Sequence, residues 1–118
     1  YLPGESKAQM LETIEYLNLQ DIQGIKLQLL HVLRDTDLYN DYQRYPFPLP
    51  SMEEYLDFLG TCLCALRPDI VVHRLTGDGP KPLLVAPLWT SNKRLVLNQM
   101  GKVFKEKDIW QGKTCRTL

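Results

Sequence analysis

The order of helix cap, apolar helical stripe and short β-type run occurs twice, and it restricts the chain more than any other feature. Ser6-Lys7-Ala8-Gln9 and Ser51-Met52-Glu53-Glu54 both read as capping boxes, in which serine takes a backbone N–H and the Gln or Glu reaches back. Behind the first, Met10, Leu11, Ile14 and Leu17 fall at helical spacing, predicting a helix from about 7 to 19. Behind the second, Met52, Leu56, Leu59, Leu63 and Leu66 trace a stripe that stops before Pro68. A β-type run follows each helix. Gly24 precedes Ile25 to Val32, where Ile25, Leu27 and Leu29 share one face and Lys26 and Gln28 the other. Ile70-Val71-Val72-His73-Arg74-Leu75 is the second run, ended by Thr76-Gly77-Asp78-Gly79-Pro80. Repeated helix–strand units point to an α/β fold with parallel strands, a sheet or barrel, and away from an all-α bundle.

The connections are less regular. Arg34 to Pro50 holds four Asp or Asn residues, three tyrosines and three prolines, a length that suits a lid or binding loop. A short helix is expected around Asp37 to Gln43. Leu83 to Trp89 leads to Thr90-Ser91-Asn92, a helix cap, and Val96, Met100 and Val103 mark the core face of a third helix. Asp108 to Leu118 is polar and is expected to be loosely held. With 118 residues the chain makes one unit. Its 14 basic and 14 acidic side chains cancel, which speaks against nucleic-acid binding by bulk charge. No apolar run approaches the roughly 18 residues of a membrane span. Three cysteines, an odd number, fit a reducing, cytoplasmic setting. The opening Tyr1-Leu2-Pro3-Gly4-Glu5-Ser6 reads as the end of one element and the cap of the next, as in a piece cut from a longer chain.

Several constellations carry possible chemistry. Cys62 and Cys64, two apart on a helix, diverge by about 160° and cannot easily clasp one metal, and Cys115 has no partner in sequence. Lys26 and Gln28 share the face that in a closed barrel lines the lumen, and His31 sits near the carboxyl end of that strand, where barrel enzymes gather their active groups; the alternative is an exposed polar face of an edge strand. His73-Arg74 runs into a glycine-rich turn with Thr76 and Asp78, where an arginine can hold a carboxylate or phosphate. The spacing is not that of a P-loop. Trp89, Asn92 and Lys93 place an aromatic and a cation at a helix amino end, where anions are favoured, although a buried tryptophan anchoring the helix to the sheet is the preferred reading. No nucleophile–base–acid triad or nucleotide fingerprint can be assembled from these residues.

Leu2-Pro3-Gly4-Glu5 before a helix resembles the segment after the fifth strand of radical-SAM barrels. Gly24 to Leu33 resembles the sixth-strand segment of an uncharacterised bacterial radical-SAM family, itself related to elongator-type and oxygen-independent coproporphyrinogen-oxidase-type proteins. His73 to Pro80, Ala86-Pro87-Leu88-Trp89 with Asn92-Lys93, and Trp110-Gln111-Gly112 are similar to that family's late motifs. The resemblance covers nearly the whole chain. It implies the C-terminal portion of a partial (β/α) barrel, as helix–strand–helix–strand–helix, with residues 1–76 in the barrel and 77–118 as an extension. It also implies a parent protein with a [4Fe-4S] cluster on three upstream cysteines. There S-adenosylmethionine is cleaved to a 5′-deoxyadenosyl radical that abstracts a substrate hydrogen.

By position, the resemblance puts Pro3, Gly4, Glu5, Lys26, Gln28 and His31 at the cofactor's adenosine. It puts His73, Arg74, Thr76, Asp78, Trp89, Asn92 and Lys93 on the substrate side. The family usually has glycine where Tyr1 stands and often histidine where Gln28 stands, so a proton-shuttle role at Gln28 is not expected. Neither Cys62, Cys64 nor Cys115 forms a cluster motif, so this chain is expected to bind neither cluster nor cofactor alone and to be inert. Its partners are expected to be the rest of the barrel, or a second copy through the strand at 25–32, with no membrane or nucleic-acid partner indicated. The alternative is a stand-alone ligand-binding or protein-interaction module using the loop at 39–50, and a plain structural domain is the third reading.

Overall fold

The structure, a computed structural model, describes residues 1–77 and 81–115. α1 (Lys7–Asn18) begins at Ser6, whose Oγ accepts from Gln9 N–H while Gln9 Oε1 accepts from Ser6 N–H, the complete capping box. β1 (Gly24–Lys26) follows, then an irregular stretch, β2 (Val32–Leu33) and α2 (Asp37–Arg44). α3 (Met52–Ala65) starts at Ser51, which accepts from Glu54 N–H, the forward half of its box. β3 (Val71–Arg74), β4 (Leu84–Ala86) and α4 (Lys93–Glu106) complete the order, with Asn92 capping α4 through Leu95 N–H.

β1 and β3 pair in parallel, Gly24 opposite Val71 and Ile25 opposite Val72, with α3 as the crossover between them. This is the expected α/β arrangement with parallel strands. A second pair accompanies it: β2 runs antiparallel to β4, Val32 opposite Ala86. The run from Ile25 to Val32 is therefore two short strands serving two sheets. Leu27 N–H still reaches Arg74 O, but Arg34 N–H turns instead to Leu83 O.

α3 holds the core together. Tyr55, Leu56, Phe58, Leu59, Cys62, Leu63 and Cys64 are all buried, on more than one side of the helix. Phe58 and Cys62 join Ile14, Leu66 and Ile70, with Ile25 and Val72 packed against them. Tyr55, Leu56 and Leu59 join Leu29 and Met100. A helix apolar on several sides must be covered on several sides.

The segment after α4 supplies part of that cover, which corrects its expected looseness. Gly112 N–H bonds Leu63 O, Thr114 N–H bonds Cys64 O, and Gln111 Nε2 donates to Arg67 O and Ile70 O at 2.8 and 2.6 Å. These bonds reach carbonyls at the end of α3 and in the turn after it, where donors within the helix run out. Gly60 leaves the space that Ile109 fills, since a Cβ there would stand 2.4 Å from Ile109 Cδ1.

Asn18 and Arg67 tie α1 to the end of α3. The Asn18 amide, on a buried residue, donates to Ala65 O at 2.8 Å and accepts from Arg67 N–H at 2.7 Å. The Arg67 guanidinium returns a bond to Asn18 O at 2.7 Å and pairs with Asp69. Replacing Asn18 by alanine strands two backbone groups. Asn18→Ala is predicted to lower unfolding free energy by about 2 kcal/mol, read as a lower urea midpoint at unchanged slope.

Candidate functional site

The chain's amino end is shaped by a turn. Glu5 N–H bonds Leu2 O at 2.9 Å, with Pro3 and Gly4 at the two central positions and Gly4 at φ 81°. That is type II geometry, which needs a glycine-compatible backbone at its third residue. A Cβ at Gly4 would touch nothing, so backbone conformation, and not space, selects the glycine. The turn delivers Glu5 to the start of α1.

Glu5, Lys26 and Gln28 meet at one cavity of about 380 Å³, bounded by α1, β1 and α3. Its apolar wall includes Ile14, Ile25 and Phe58. β1 pairs only with β3 among the described residues, so the cavity opens beside an unpaired strand edge. Tyr1 stands at its rim, with its ring 5.8 Å from Phe58 and 6.4 Å from Tyr55 in centroid distance. The Tyr1 hydroxyl is buried without a hydrogen-bond partner, and burial raises its pKa. Pro3 and Gly4 do not line this cavity; they position Glu5.

His31 does not line it either. Its Nδ1 donates to Leu29 O at 2.9 Å, the carbonyl being able only to accept. Its Nε2 is buried and unpartnered. The ring lies against Gly77, where a Cβ would come within 2.8 Å of Cε1. His73 is placed in the same way, its Nε2 2.4 Å from where a Cβ on Gly24 would stand. Each histidine thus occupies the space above a glycine of a neighbouring segment. A glycine within or beside a strand signals this kind of close approach, and Gly24 and Gly77 were the available clue.

The remaining candidates gather at the carboxyl end of β3. His73, Arg74 and Thr76 line a second cavity, of about 350 Å³, with Lys93 from α4. Trp89 is an anchor: its Nε1 donates to Pro50 O at 3.0 Å and its ring lies 5.7 Å from Tyr55. Tyr55 in turn donates to Leu75 O at 2.7 Å. Burial drives the Tyr55 pKa upward, with Cys62 and Tyr1 adding to it. Asn92 serves as the α4 cap. Asp78 lies outside the described residues. The loop expected at 34–50 contains α2, capped by Thr36, and Tyr42 packs edge-on to Phe47 at 5.0 Å.

The residues at this cavity do not suit a metal cluster. A cavity of this size with an apolar wall, a carboxylate, an ammonium and an amide suits a small polar ligand. An iron–sulfur cluster needs several thiolates converging on one point. Cys62 and Cys64 are buried on α3, and burial pushes the Cys62 thiol up to about 11. Among the described residues no three His, Cys, Asp or Glu side chains could hold one metal ion. The cluster does not fit here. Among them, too, no helix is long and apolar enough to cross a membrane.

A parallel β–α–β unit with cavities beside its strands defines an α/β domain. The chain belongs to the Radical_SAM C-terminal domain family, which it matches over residues 22–106. It is 36% identical over 99% of its length to the uncharacterised protein YtqA of Bacillus subtilis, of which it covers 36%. It is 29% identical to the uncharacterised protein MJ0486 of Methanocaldococcus jannaschii and 26% identical to protein YhcC of Escherichia coli, covering 35% of each with 94% and 92% of its own length. The chain therefore spans about a third of these curated relatives.

Cys62 supplies a pH test with a definite sign. Its folded-state pKa of about 11 exceeds the ordinary 9.0, so its contribution to stability is complete below pH 9 and is lost as pH rises toward 11. Urea midpoints between pH 8 and 11 are expected to fall for the native chain and to fall less steeply for Cys62→Ala.

Proposed function

We propose that this chain is the C-terminal part of a radical-SAM iron–sulfur oxidoreductase in which it helps to seat S-adenosylmethionine and to close the substrate side. The observation that carries the reading is the meeting of Glu5, Lys26 and Gln28 at one cavity beside the open edge of a parallel strand pair. Family membership and the coverage of about a third of each relative support it. The cofactor, when bound, is the source of a hydrogen-abstracting radical. The cluster that reduces it belongs to cysteines outside this chain, so the 118 residues alone are catalytically inert.

The roles of this chain's own residues follow from their chemistry. The Glu5 carboxylate accepts hydrogen bonds from ribose hydroxyls. Gln28 reads an adenine edge through its paired donor and acceptor, while Ile25 and Phe58 exclude water from the ring. Lys26 supplies positive charge to a carboxylate. His31 positions the strand that carries these groups through its bond to Leu29 O. The free edge of β1 receives the rest of the barrel, since an unpaired edge left open is a template for association. The same edge pairs two copies when the chain is alone.

Two measurements check this reading. In the full-length protein, Lys26→Ala and Gln28→Ala are each predicted to weaken S-adenosylmethionine binding by about tenfold, the loss of one charge-assisted or paired hydrogen bond. Unchanged calorimetric affinity in both variants contradicts the assignment. For the isolated chain, light scattering at high concentration is predicted to give a dimer mass, and a monomer mass counts against edge pairing.

A further inference from the structure

We infer that the groove along the outer edge of β3 is a docking site for an extended strand, and that this strand comes from the part of the parent protein outside this chain. The inference rests on the reading of the chain as one part of a larger enzyme, and adds a second contact to the one assigned to β1. Among the described residues β3 pairs only with β1, so its other edge has no strand beside it. The cavity of about 350 Å³ lies at that edge. Consecutive residues from Val72 to Thr76 form one wall, so the groove follows the strand, and Leu97 and Met100 of α4 stand on the other side. Val71 N–H bonds Gln23 O across the pair. Neighbouring residues of a strand send their backbone groups to opposite edges, so the N–H and C=O of Val72 point away from β1. A strand laid in the groove pairs with them and rests its side chains on Leu97.

The stretch after α4 does not supply that strand. After α4 the backbone turns at Asp108, with φ 52°, and Gly112 and Thr114 bond back to the end of α3. Yet the surroundings are those of a covered surface. Val71 on β3 is 56% exposed and Leu97 on α4 is 49% exposed. Gly101 lies one turn beyond Leu97, on the same side of α4. A Cβ there would meet nothing within 4 Å. Glycine weakens a helix interior, and no close approach within this chain selects it, so it leaves room for backbone arriving from outside. The relatives have the chain to provide it. The match spans 36% of YtqA and 35% of YhcC and MJ0486, so about two-thirds of each lies beyond it. A strand paired on both sides also no longer offers an edge to other molecules. With β3 covered, the parent's sheet is closed on that side, and a substrate enters past the ends of the strands.

The test is amide hydrogen exchange at single-residue resolution on the full-length protein. The Val72 amide is expected to exchange about as slowly as that of Val71, which is already bonded to β1. A freely exchanging Val72 amide would overturn the inference. So would protection that grows with protein concentration, since that marks a second copy as the occupant. Leu97→Asp should speed exchange at Val72 by about tenfold while leaving α3 as slow as before, the sign that the fold is kept. Gly101→Leu gives an independent readout. It improves the helix, so an open groove predicts a higher melting temperature, whereas an occupied one predicts a lower one. The Lys26 amide, on the outer edge of β1, separates this inference from the reading it rests on. Protection at Lys26 without protection at Val72 keeps the larger assembly and removes the β3 contact. Protection at Val72 without protection at Lys26 keeps the β3 contact and removes the pairing assigned to β1.

Discussion

α3 has to be covered on several sides at once, and the rest of the structure is arranged to do so. Its buried residues face α1 and the β1–β3 pair in one cluster, and α4 with the stretch after β1 in the other. Two devices make this possible. Gly60 removes a side chain where Ile109 must approach, and the segment from Gln111 to Thr114 donates to carbonyls at the end of α3 and in the turn that follows it. The short strands alone could not hold such a core, because a two-stranded pair is marginal in water.

The same arrangement positions the candidate site. α1 and α3 pack on one side of β1, so the alternate residues Lys26 and Gln28 are left exposed, and the unpaired edge of β1 opens the cavity to which the Leu2–Glu5 turn delivers a carboxylate. The Asn18–Arg67 bonds fix the carboxyl ends of α1 and α3 relative to each other and hence the cavity walls. Across the pair, His73, Arg74 and Thr76 line a second cavity with Lys93 of α4. One parallel pair thus has a cavity along each of its edges.

Much of this was legible in the residues. The capping serines set the starts of α1 and α3, and the alternation of Ile25, Lys26, Leu27 and Gln28 gave the correct faces, because local hydrogen bonding and period-2 burial are written in adjacent positions. The switch of the chain from one sheet to another after Leu27 was not legible, since Leu29, Leu30 and Val32 are equally apolar in either partnership. The docking of residues 109–114 was missed because its bonds go to backbone carbonyls, which leave no trace in side-chain pattern. The rings of His31 and His73 lie over Gly77 and Gly24, and although those glycines hint at a close approach, which histidine meets which glycine is supplied only by the tertiary structure.

The most direct test of the account is made on the full-length protein containing this chain, purified and reconstituted without oxygen. Iron, sulfide and 5′-deoxyadenosine are assayed after addition of dithionite and S-adenosylmethionine. The account predicts about four irons per chain and formation of the nucleoside. A protein that holds its iron and sulfide yet forms no 5′-deoxyadenosine would contradict it.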